Sequence, residues 1–263
     1  MRIIRLESNI LRDMEPIIYP LCVMELRSTT TASEIAGHLR ERILAGEFAP
    51  GTRMHQVQLS EMLGISRTPI REALAHLANQ GLLIYEPNRG YAVRAFSVEE
   101  IRAAFEVRAR LEALACGLCA RNGLTKPVLA RLKACLAEGD ALLSKGFLDP
   151  DDLAPYRAMN VEFHETILQK SGNPFLGDFV RQCHNVPLAS DRVFVWKDYG
   201  IITRSHDDHH RILHAIETRD SERAEALMRE HVVYASLVLL RMLDEVKAAP
   251  KADDSPLRPR RIA

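Results

Sequence analysis

The chain has 263 residues with 35 basic and 35 acidic side chains, so its formal net charge at pH 7 is zero and a generally basic, histone-like protein is excluded. Apolar residues make up 47% and aromatic residues only 6% of the sequence, a mixture that can fill a core and favours helices. Its five cysteines are scattered, and no apolar run reaches the roughly 18–20 residues of a membrane span, so we expect a cytoplasmic protein without a membrane partner.

Four regions follow one another along the chain. Residues 1–27 match no clear pattern, and we expect an N-terminal extension that is flexible; Met24 is an alternative start, and the sequence does not decide whether residues 1–23 are translated. Residues 28–95 and 96–246 have the patterns of two folded domains. Residues 247–263 contain three prolines and few apolar side chains, which predicts a disordered tail.

The first folded region has the pattern of a winged helix-turn-helix. Thr31-Ala-Ser-Glu34 is a capping box that begins a first helix. A short second helix is predicted over about 56–63, after which Gly64 allows a tight turn and Ser66 can cap a third helix. Two short apolar runs on either side of Pro87-Asn-Arg-Gly90 predict a β-hairpin, the wing.

Polar side chains at the start of the third helix are suited to DNA. Arg67, Thr68 and Arg71 are predicted on its exposed side, where arginine can contact guanine and hydroxyl groups can contact phosphate. Arg89 at the wing tip could reach the minor groove. The predicted DNA-binding residues are Ser66, Arg67, Thr68, Arg71, Arg89 and Gly90. On these residues alone, an amphipathic helix with a solvated basic face remains the alternative.

A family resemblance favours the DNA-binding interpretation. The run Leu59-Ser-Glu-Met-Leu-Gly-Ile-Ser-Arg-Thr-Pro-Ile-Arg-Glu-Ala-Leu74, with Ala49-Pro-Gly51 before it and Asn88-Arg-Gly90 after it, is similar to the DNA-binding domain of the GntR family of bacterial transcription regulators. The resemblance covers residues 32–95. It implies that Arg67, Thr68 and Arg71 contact an operator and that the wing around Gly90 touches the minor groove.

The second region has a helical period throughout. Ser97-Val-Glu-Glu100 is another capping box, and Pro187 is expected to kink or split one helix. The predicted fold is therefore mainly α, an N-terminal winged helix-turn-helix domain followed by an all-α antiparallel helical bundle. The helices are predicted near 97–122, 126–145, 150–171, 174–199, 205–218 and 221–246.

Histidines are concentrated in this bundle, where seven of the ten lie between His164 and His231. Asn160 and His164 are four residues apart and share a helix face, whereas His209 and His231 lie at similar heights on a predicted helical hairpin. Three imidazoles and an amide oxygen suit a divalent metal ion, with zinc or nickel preferred. Each histidine taken singly has the alternative of a core or surface residue.

A second resemblance concerns residues 97–246. The motifs Phe105-Glu-Val-Arg108…Glu112, Asn160-x-x-Phe163-His164 and Ser171-Gly-Asn173, with those around His209 and His231, are similar to the FCD ligand-binding domain of the FadR-type branch. The resemblance implies a metal held by Asn160, His164, His209 and His231, although aspartate is usual at the first position. It also implies that Arg108 lines a carboxylate pocket; a surface ion pair with Glu112 is the alternative. Asn173 and Arg192 are further candidate effector ligands.

Together these features predict a regulator and not an enzyme. We expect a homodimer that binds a palindromic DNA operator, acts as a repressor and responds to a small carboxylate effector at a metal-containing pocket. Two alternatives stay open: a metal-dependent hydrolase of the helical HD type, suggested by His206-Asp207, and a regulator that senses metal alone.

Overall fold

The computed structural model describes residues 30–147, 149–190 and 198–248. The expected N-terminal extension, the tail beyond residue 248 and the candidate effector ligand Arg192 lie outside the described residues.

The N-terminal unit contains three helices and a hairpin, as the sequence predicts. Its elements are α1 (Ala32–Leu44), α2 (Gln56–Leu63), α3 (Arg67–Asn79), β1 (Leu83–Glu86) and β2 (Gly90–Val93). The predicted capping box begins α1: the Thr31 N–H donates to Glu34 Oε2 at 2.7 Å, and the Glu34 N–H donates to Thr31 Oγ1 at 3.3 Å. Gly64 ends α2 with φ of 66°, a left-handed conformation that makes the turn into α3.

The wing is attached by backbone hydrogen bonds to the segment between α1 and α2. Strands β1 and β2 are antiparallel, with Leu83 opposite Val93 and Glu86 opposite Gly90. In the connecting turn the Arg89 N–H donates to the Glu86 carbonyl at 3.0 Å, and Asn88 has a positive φ of 63°, which asparagine tolerates well. On its other edge β2 bonds to the segment that precedes α2. The wing tip is therefore held at a defined position relative to the helices.

The C-terminal unit is an all-α bundle. Its helices are α4 (Val98–Asn122), α5 (Lys126–Leu143), α6 (Leu153–Lys170), α7 (Leu176–Cys183), α8 (Tyr199–Glu217) and α9 (Ser221–Ala248), with 3₁₀ turns at Pro150–Asp152 and Pro187–Ala189. The longest helices, α4 and α9, pack side by side along the bundle. One continuous core includes Tyr156, Phe163 and Ile167. None of the described helices is both long and apolar enough to cross a membrane.

The helix predicted over 174–199 is split before Pro187, as expected, but its first part is much shorter than the predicted range. Helix α7 ends at Cys183, and Pro187 opens a separate 3₁₀ turn, because proline has no N–H to continue a helix. Helix α8 begins at Tyr199, earlier than predicted, where the Asp198 side chain accepts hydrogen bonds from the N–H groups of Gly200 and Ile201.

The two units meet at Asn185, between α7 and the 3₁₀ turn. Its Oδ1 accepts a hydrogen bond from Arg40 Nε in α1 at 2.8 Å. Its Nδ2 donates to the carbonyl of Gln80, the residue that follows α3, at 3.1 Å. A single side chain from the bundle thus contacts both the first helix and the end of the third.

Candidate functional site

The exposed side of α3 presents the side chains that the sequence singles out. Ser66, Arg67, Thr68 and Arg71 are exposed, whereas Ile70, Leu74 and Leu77 on the opposite side are fully buried. Ser66 occupies the N-cap position as expected, but its side chain makes no capping hydrogen bond. Capping of α3 by the Ser66 hydroxyl is therefore wrong, and that hydroxyl faces solvent at the helix N-terminus.

An open cleft joins the start of α3 to the wing tip. Arg67 from α3 and Arg89 and Gly90 from the wing line it together with residues at the start of α2, among them Gln56 and Gln58. The Arg89 side chain is 75% exposed, and its Nη1 is 3.9 Å from Glu86 Oε2. Sequence reasoning missed the two glutamines. Their signal was a pair of amide side chains at a helix start, half-buried Gln56 and exposed Gln58, which the turn brings beside α3.

A second constellation lies inside the bundle, where α6, α8 and α9 bring three histidines together. His164, His209 and His231 are all buried, and each offers one ring nitrogen within 4.8 Å of the others. The centroids of the His209 and His231 rings are 4.7 Å apart, and both lie 5.3 Å or less from the His164 ring. Phe163 packs on His209 with a centroid distance of 4.5 Å. Asn160 lies one turn before His164 on the same helix and is also buried.

A buried ion pair orients one of these imidazoles. His164 Nδ1 and Glu112 Oε2 are 2.7 Å apart, and Arg108 Nε donates to Glu112 Oε1 at 2.8 Å. Burial opposes ionisation of Glu112, but Arg108 and His164 outweigh it and hold its pKa well below the usual range. With Nδ1 bonded to a carboxylate, the Nε2 atom of His164 is left for a ligand, the arrangement that commonly orients a metal-binding histidine.

The other two imidazoles each have at least one buried ring nitrogen without a hydrogen-bond partner in the part of the chain that the structure describes. Both ring nitrogens of His209 and the Nδ1 atom of His231 are buried, and none of the three has a hydrogen-bond partner among the described residues. Burial, and then the neighbouring imidazoles, lower the pKa of His209 well below its usual range and the pKa of His231 to about 3. Neutral imidazoles with free lone pairs are the form that binds a borderline divalent ion, so these residues fit such a metal.

The candidate effector ligands have different surroundings. Arg108 does pair with Glu112, but the pair is buried and not on the surface, with Arg108 only 5% exposed. A second N–H, on Nη1, donates to the Ala189 carbonyl at 2.5 Å. Thus two of its five N–H groups are engaged by these partners.

Asn173 is not brought to the histidine cluster. Its Oδ1 accepts a hydrogen bond from the Phe175 N–H at 3.0 Å and shapes the turn between α6 and α7. That turn is tied to Asn122, because Asn122 Nδ2 donates to the Ser171 carbonyl at 3.4 Å. Asn122 lies ten residues beyond Glu112 in α4, roughly 15 Å along the helix. The Oδ1 atom of Asn173 thus has a partner within the turn, and its assignment as an effector ligand stays a prediction.

Two carboxylates near the histidines were not recognised in the sequence. Asp208 is buried with its Oδ2 at 3.9 Å from His231 Nδ1, and Asp140 of α5 contacts His206 and His210. Asp208 adjoins His209 in the sequence, which was a weak signal. Nothing local in the sequence connects Asp140 to α8, since that contact exists only after the helices pack.

Comparison with known proteins identifies both units. Residues 31–93 match the profile of the bacterial regulatory proteins of the gntR family, and residues 103–234, half of the chain, match the FCD domain. This chain belongs to the GntR family and carries an FCD domain. Its two units are therefore those expected from the resemblance, and the chain is a DNA-binding transcription regulator of GntR/FCD type.

Curated relatives of this GntR-family protein agree. The chain is 29% identical over 209 residues to the HTH-type transcriptional repressor GlaR of Escherichia coli K12, covering 74% of this chain and 89% of that protein. It is 26% identical to the gluconate operon transcriptional repressor of Bacillus subtilis, covering 79% of this chain and 84% of the repressor. Both are named as transcriptional repressors, so the comparisons support a regulator and overturn the hydrolase alternative drawn from His206-Asp207.

Solved structures show the same fold. The structure of E. coli McbR/YncC aligns with a TM-score of 0.64 at 22% identity, covering 82% of this chain and 98% of that one. A putative GntR regulator from Rhodococcus sp. RHA1 aligns with a TM-score of 0.60 at 23% identity, covering 80% and 97% of the two chains.

Proposed function

We propose that this GntR-family protein is a homodimeric repressor that binds a palindromic operator and leaves it when a small carboxylate binds at a metal-containing pocket in the FCD domain. The observation that carries the proposal is the cluster of three buried histidines, in which His209 and His231 have ring nitrogens without hydrogen-bond partners among the described residues. Buried polar atoms without partners are costly, and a ligand that pairs them removes that cost.

The metal is a zinc-class divalent ion, with zinc or nickel preferred, held by His164, His209 and His231. Asn160 completes the set through its side-chain carbonyl oxygen, since it lies one turn from His164 on the same face. Because asparagine is neutral, the site has one negative charge fewer than it would with aspartate. A bound ion there supplies positive charge and open coordination positions for an anionic effector.

The effector is a small carboxylate, and Arg108 is its proposed anchor in the protein. The Arg108 guanidinium bonds Glu112, and Glu112 in turn contacts His164. The guanidinium also has N–H groups other than the two that bond Glu112 and Ala189. Guanidinium and carboxylate pair in a planar geometry with two hydrogen bonds. Arg192, the other proposed ligand, lies outside the described residues.

A hydrogen-bonded route supports communication between the two units. Arg108 holds the carbonyl of Ala189, and the segment from Asn185 to Ala189 is compact, with the Ala189 N–H donating to the Val186 carbonyl at 2.9 Å. Asn185 in turn contacts Gln80 and Arg40 of the DNA-binding unit. An effector that draws Arg108 toward itself shifts this segment and thereby the orientation of α3. The coupling is expected to be about 1–3 kcal/mol, as for most allosteric proteins.

Homodimerisation is supported by an apolar stripe on α4. Val107 and Leu114 are 48% and 37% exposed, and Leu111 and Leu118 between and beyond them are half-buried. These positions repeat with helical spacing on one face, the pattern by which two copies of a helix pair. A Val107→Asp/Leu114→Asp double variant is expected to sediment as a monomer, whereas Phe147→Asp, at an exposed apolar position elsewhere, keeps the dimer.

Selection of bound sequences from random duplex DNA tests the proposal. A palindromic site is expected to be enriched by the zinc-loaded protein, and a panel of small carboxylates is then titrated against that site. Release of DNA by a carboxylate supports the complete proposal. Release by zinc alone identifies a metal sensor instead, and enrichment of a site without two-fold symmetry contradicts the dimeric mode of binding.

A further inference from the structure

A second group of metal-binding side chains lies at the bundle surface, between α5 and α8. Asp140 Oδ1 is 3.0 Å from His206 Nε2 and 2.9 Å from His210 Nε2. One ligand atom from each residue lies within 4.8 Å of the other two. The His206 ring is buried, whereas Asp140 and His210 are 56% and 43% exposed. The group is thus anchored on one side and open to solvent on the other.

The spacing of these atoms is close to that of a coordination shell. Donors that bind zinc tetrahedrally at about 2.0–2.1 Å lie roughly 3.3 Å from one another. The carboxylate oxygen is already within about 0.4 Å of that separation from both imidazole nitrogens. His206 and His210 are four residues apart on α8, the separation at which two histidines of one helix bind the same zinc ion.

The packing of α5 makes room for this arrangement. A Cβ atom at Gly139 would lie 2.1 Å from His206 Cε1, so a larger residue would displace the imidazole. Glycine at that position lets the ring approach the α5 backbone beside Asp140. Burial lowers the pKa of His206, and although burial opposes ionisation of Asp140, hydrogen bonds from His210 and His206 lower its pKa. Asp140 is therefore ionised and His206 is neutral at neutral pH.

We propose that Asp140, His206 and His210 form a second site for a zinc-class divalent cation, separate from the buried cluster of His164, His209 and His231. Water completes the coordination on the exposed side. An ion at this site connects α5 to α8, the helix that also carries His209. The centroids of the His206 and His209 rings are 6.0 Å apart, so the two sites are neighbours on α8.

Zinc stoichiometry of the full-length protein tests this proposal. The chelator-treated protein is titrated with Zn²⁺ by calorimetry, and bound zinc per chain is measured after desalting. We expect two zinc ions per chain in the unaltered protein and one in the Asp140→Asn/His210→Ala variant, with the remaining affinity changed less than about tenfold. His214→Ala, an exposed histidine one turn further along α8, is the matched control and is expected to bind two.

The variants also separate this site from the buried one. His209→Ala is expected to remove the buried ion and leave one ion that Asp140→Asn/His210→Ala then removes. If Asp140→Asn/His210→Ala binds as much zinc as the unaltered protein, with the same affinities, the surface site is rejected. If His209→Ala binds as much zinc as the unaltered protein while Asp140→Asn/His210→Ala loses one ion, the buried site is rejected and the surface site is supported. Circular dichroism of each variant verifies that the fold is retained.

Discussion

The two units of this regulator place their functional side chains in opposite environments. In the DNA-binding unit Arg67, Thr68 and Arg71 are exposed on a helix whose other face fills the core. In the FCD unit the histidine cluster and its Arg108–Glu112 pair are buried at the centre of the bundle. A surface that reads DNA has to be exposed, whereas a site that senses a small molecule gains strength and selectivity from the exclusion of water.

This difference determines which substitutions report on function alone. Truncating an exposed arginine removes a DNA contact and leaves the core unchanged, with an expected stability change within about 0.5 kcal/mol. Truncating Arg108 would break a buried ion pair and leave Glu112 with His164 in place of two partners, a defect that typically costs about 3–5 kcal/mol. Arg108→Ala is therefore a poor test of effector binding, although it would have been the natural choice had the ion pair been on the surface.

The largest expected effect is on DNA binding. Arg67→Ala/Arg71→Ala is expected to weaken operator affinity by about 2–6 kcal/mol, because each arginine in a base-reading position contributes about 1–3 kcal/mol. Fluorescence anisotropy with the selected operator measures the loss, and thermal unfolding verifies that stability is unchanged. Arg131→Ala, an exposed arginine in the bundle, is the control and is expected to bind normally. Operator affinity that survives the double substitution would remove α3 from the DNA interface.

The next effect concerns metal affinity in the buried cluster. Asn160→Asp adds a negative charge to the proposed ligand set and is expected to tighten zinc binding at that site about tenfold or more, whereas Asn160→Ala weakens it. Calorimetry of these forms in a protein that also carries Asp140→Asn/His210→Ala measures the buried site alone, because those substitutions remove the surface site. Identical affinity in all three forms would show that residue 160 is not a ligand.

A smaller effect is expected at the junction between the two units. Asn185→Ala removes the hydrogen bonds to Gln80 and Arg40 and is expected to reduce the effector-induced change in operator affinity severalfold, with effector affinity at the isolated FCD unit unchanged. Operator binding without effector, measured in parallel, separates weaker coupling from weaker DNA contact. A full effector response in this variant would exclude Asn185 from the route.

The last effect concerns stability and not binding: it is a dependence of stability on pH in the metal-free protein. The folded-state pKa of His231 is about 3, below the value of about 6.5 for an unfolded chain, and that of His209 is also lowered. Below about pH 6.5 the unfolded state binds more protons, so stability is lost as pH falls, by up to about 1.4 kcal/mol per pH unit for each histidine. Urea unfolding at pH 7.5, 6.5 and 5.5 measures this slope.

A matched variant assigns the slope to the cluster. His231→Gln removes one titrating group and is expected to reduce the dependence by one histidine's contribution. If the stability of the unaltered protein does not depend on pH, or if His231→Gln shows the same dependence, the buried histidines are not held neutral in the folded protein.

Local sequence determined the parts of this protein that depend on near neighbours along the chain. The capping boxes at Thr31 and Ser97, the glycine turn at Gly64 and the wing turn before Gly90 act over a few residues, and each occurs as predicted. Helical spacing likewise placed Arg67 and Arg71 opposite Ile70. The family resemblance also predicted which histidines of the bundle form one cluster, because His164, His209 and His231 lie within motifs of the family.

Tertiary structure alone decided which distant groups meet. Asp140 lies beside His206 and His210, and Asn185 lies beside Gln80, through contacts between residues more than sixty positions apart. No periodicity within one helix encodes such pairs, since they depend on how α5, α8 and the two units pack. The burial of Arg108 has the same origin: its spacing to Glu112 predicts an ion pair on any helix, but only the surrounding helices place that pair in the core.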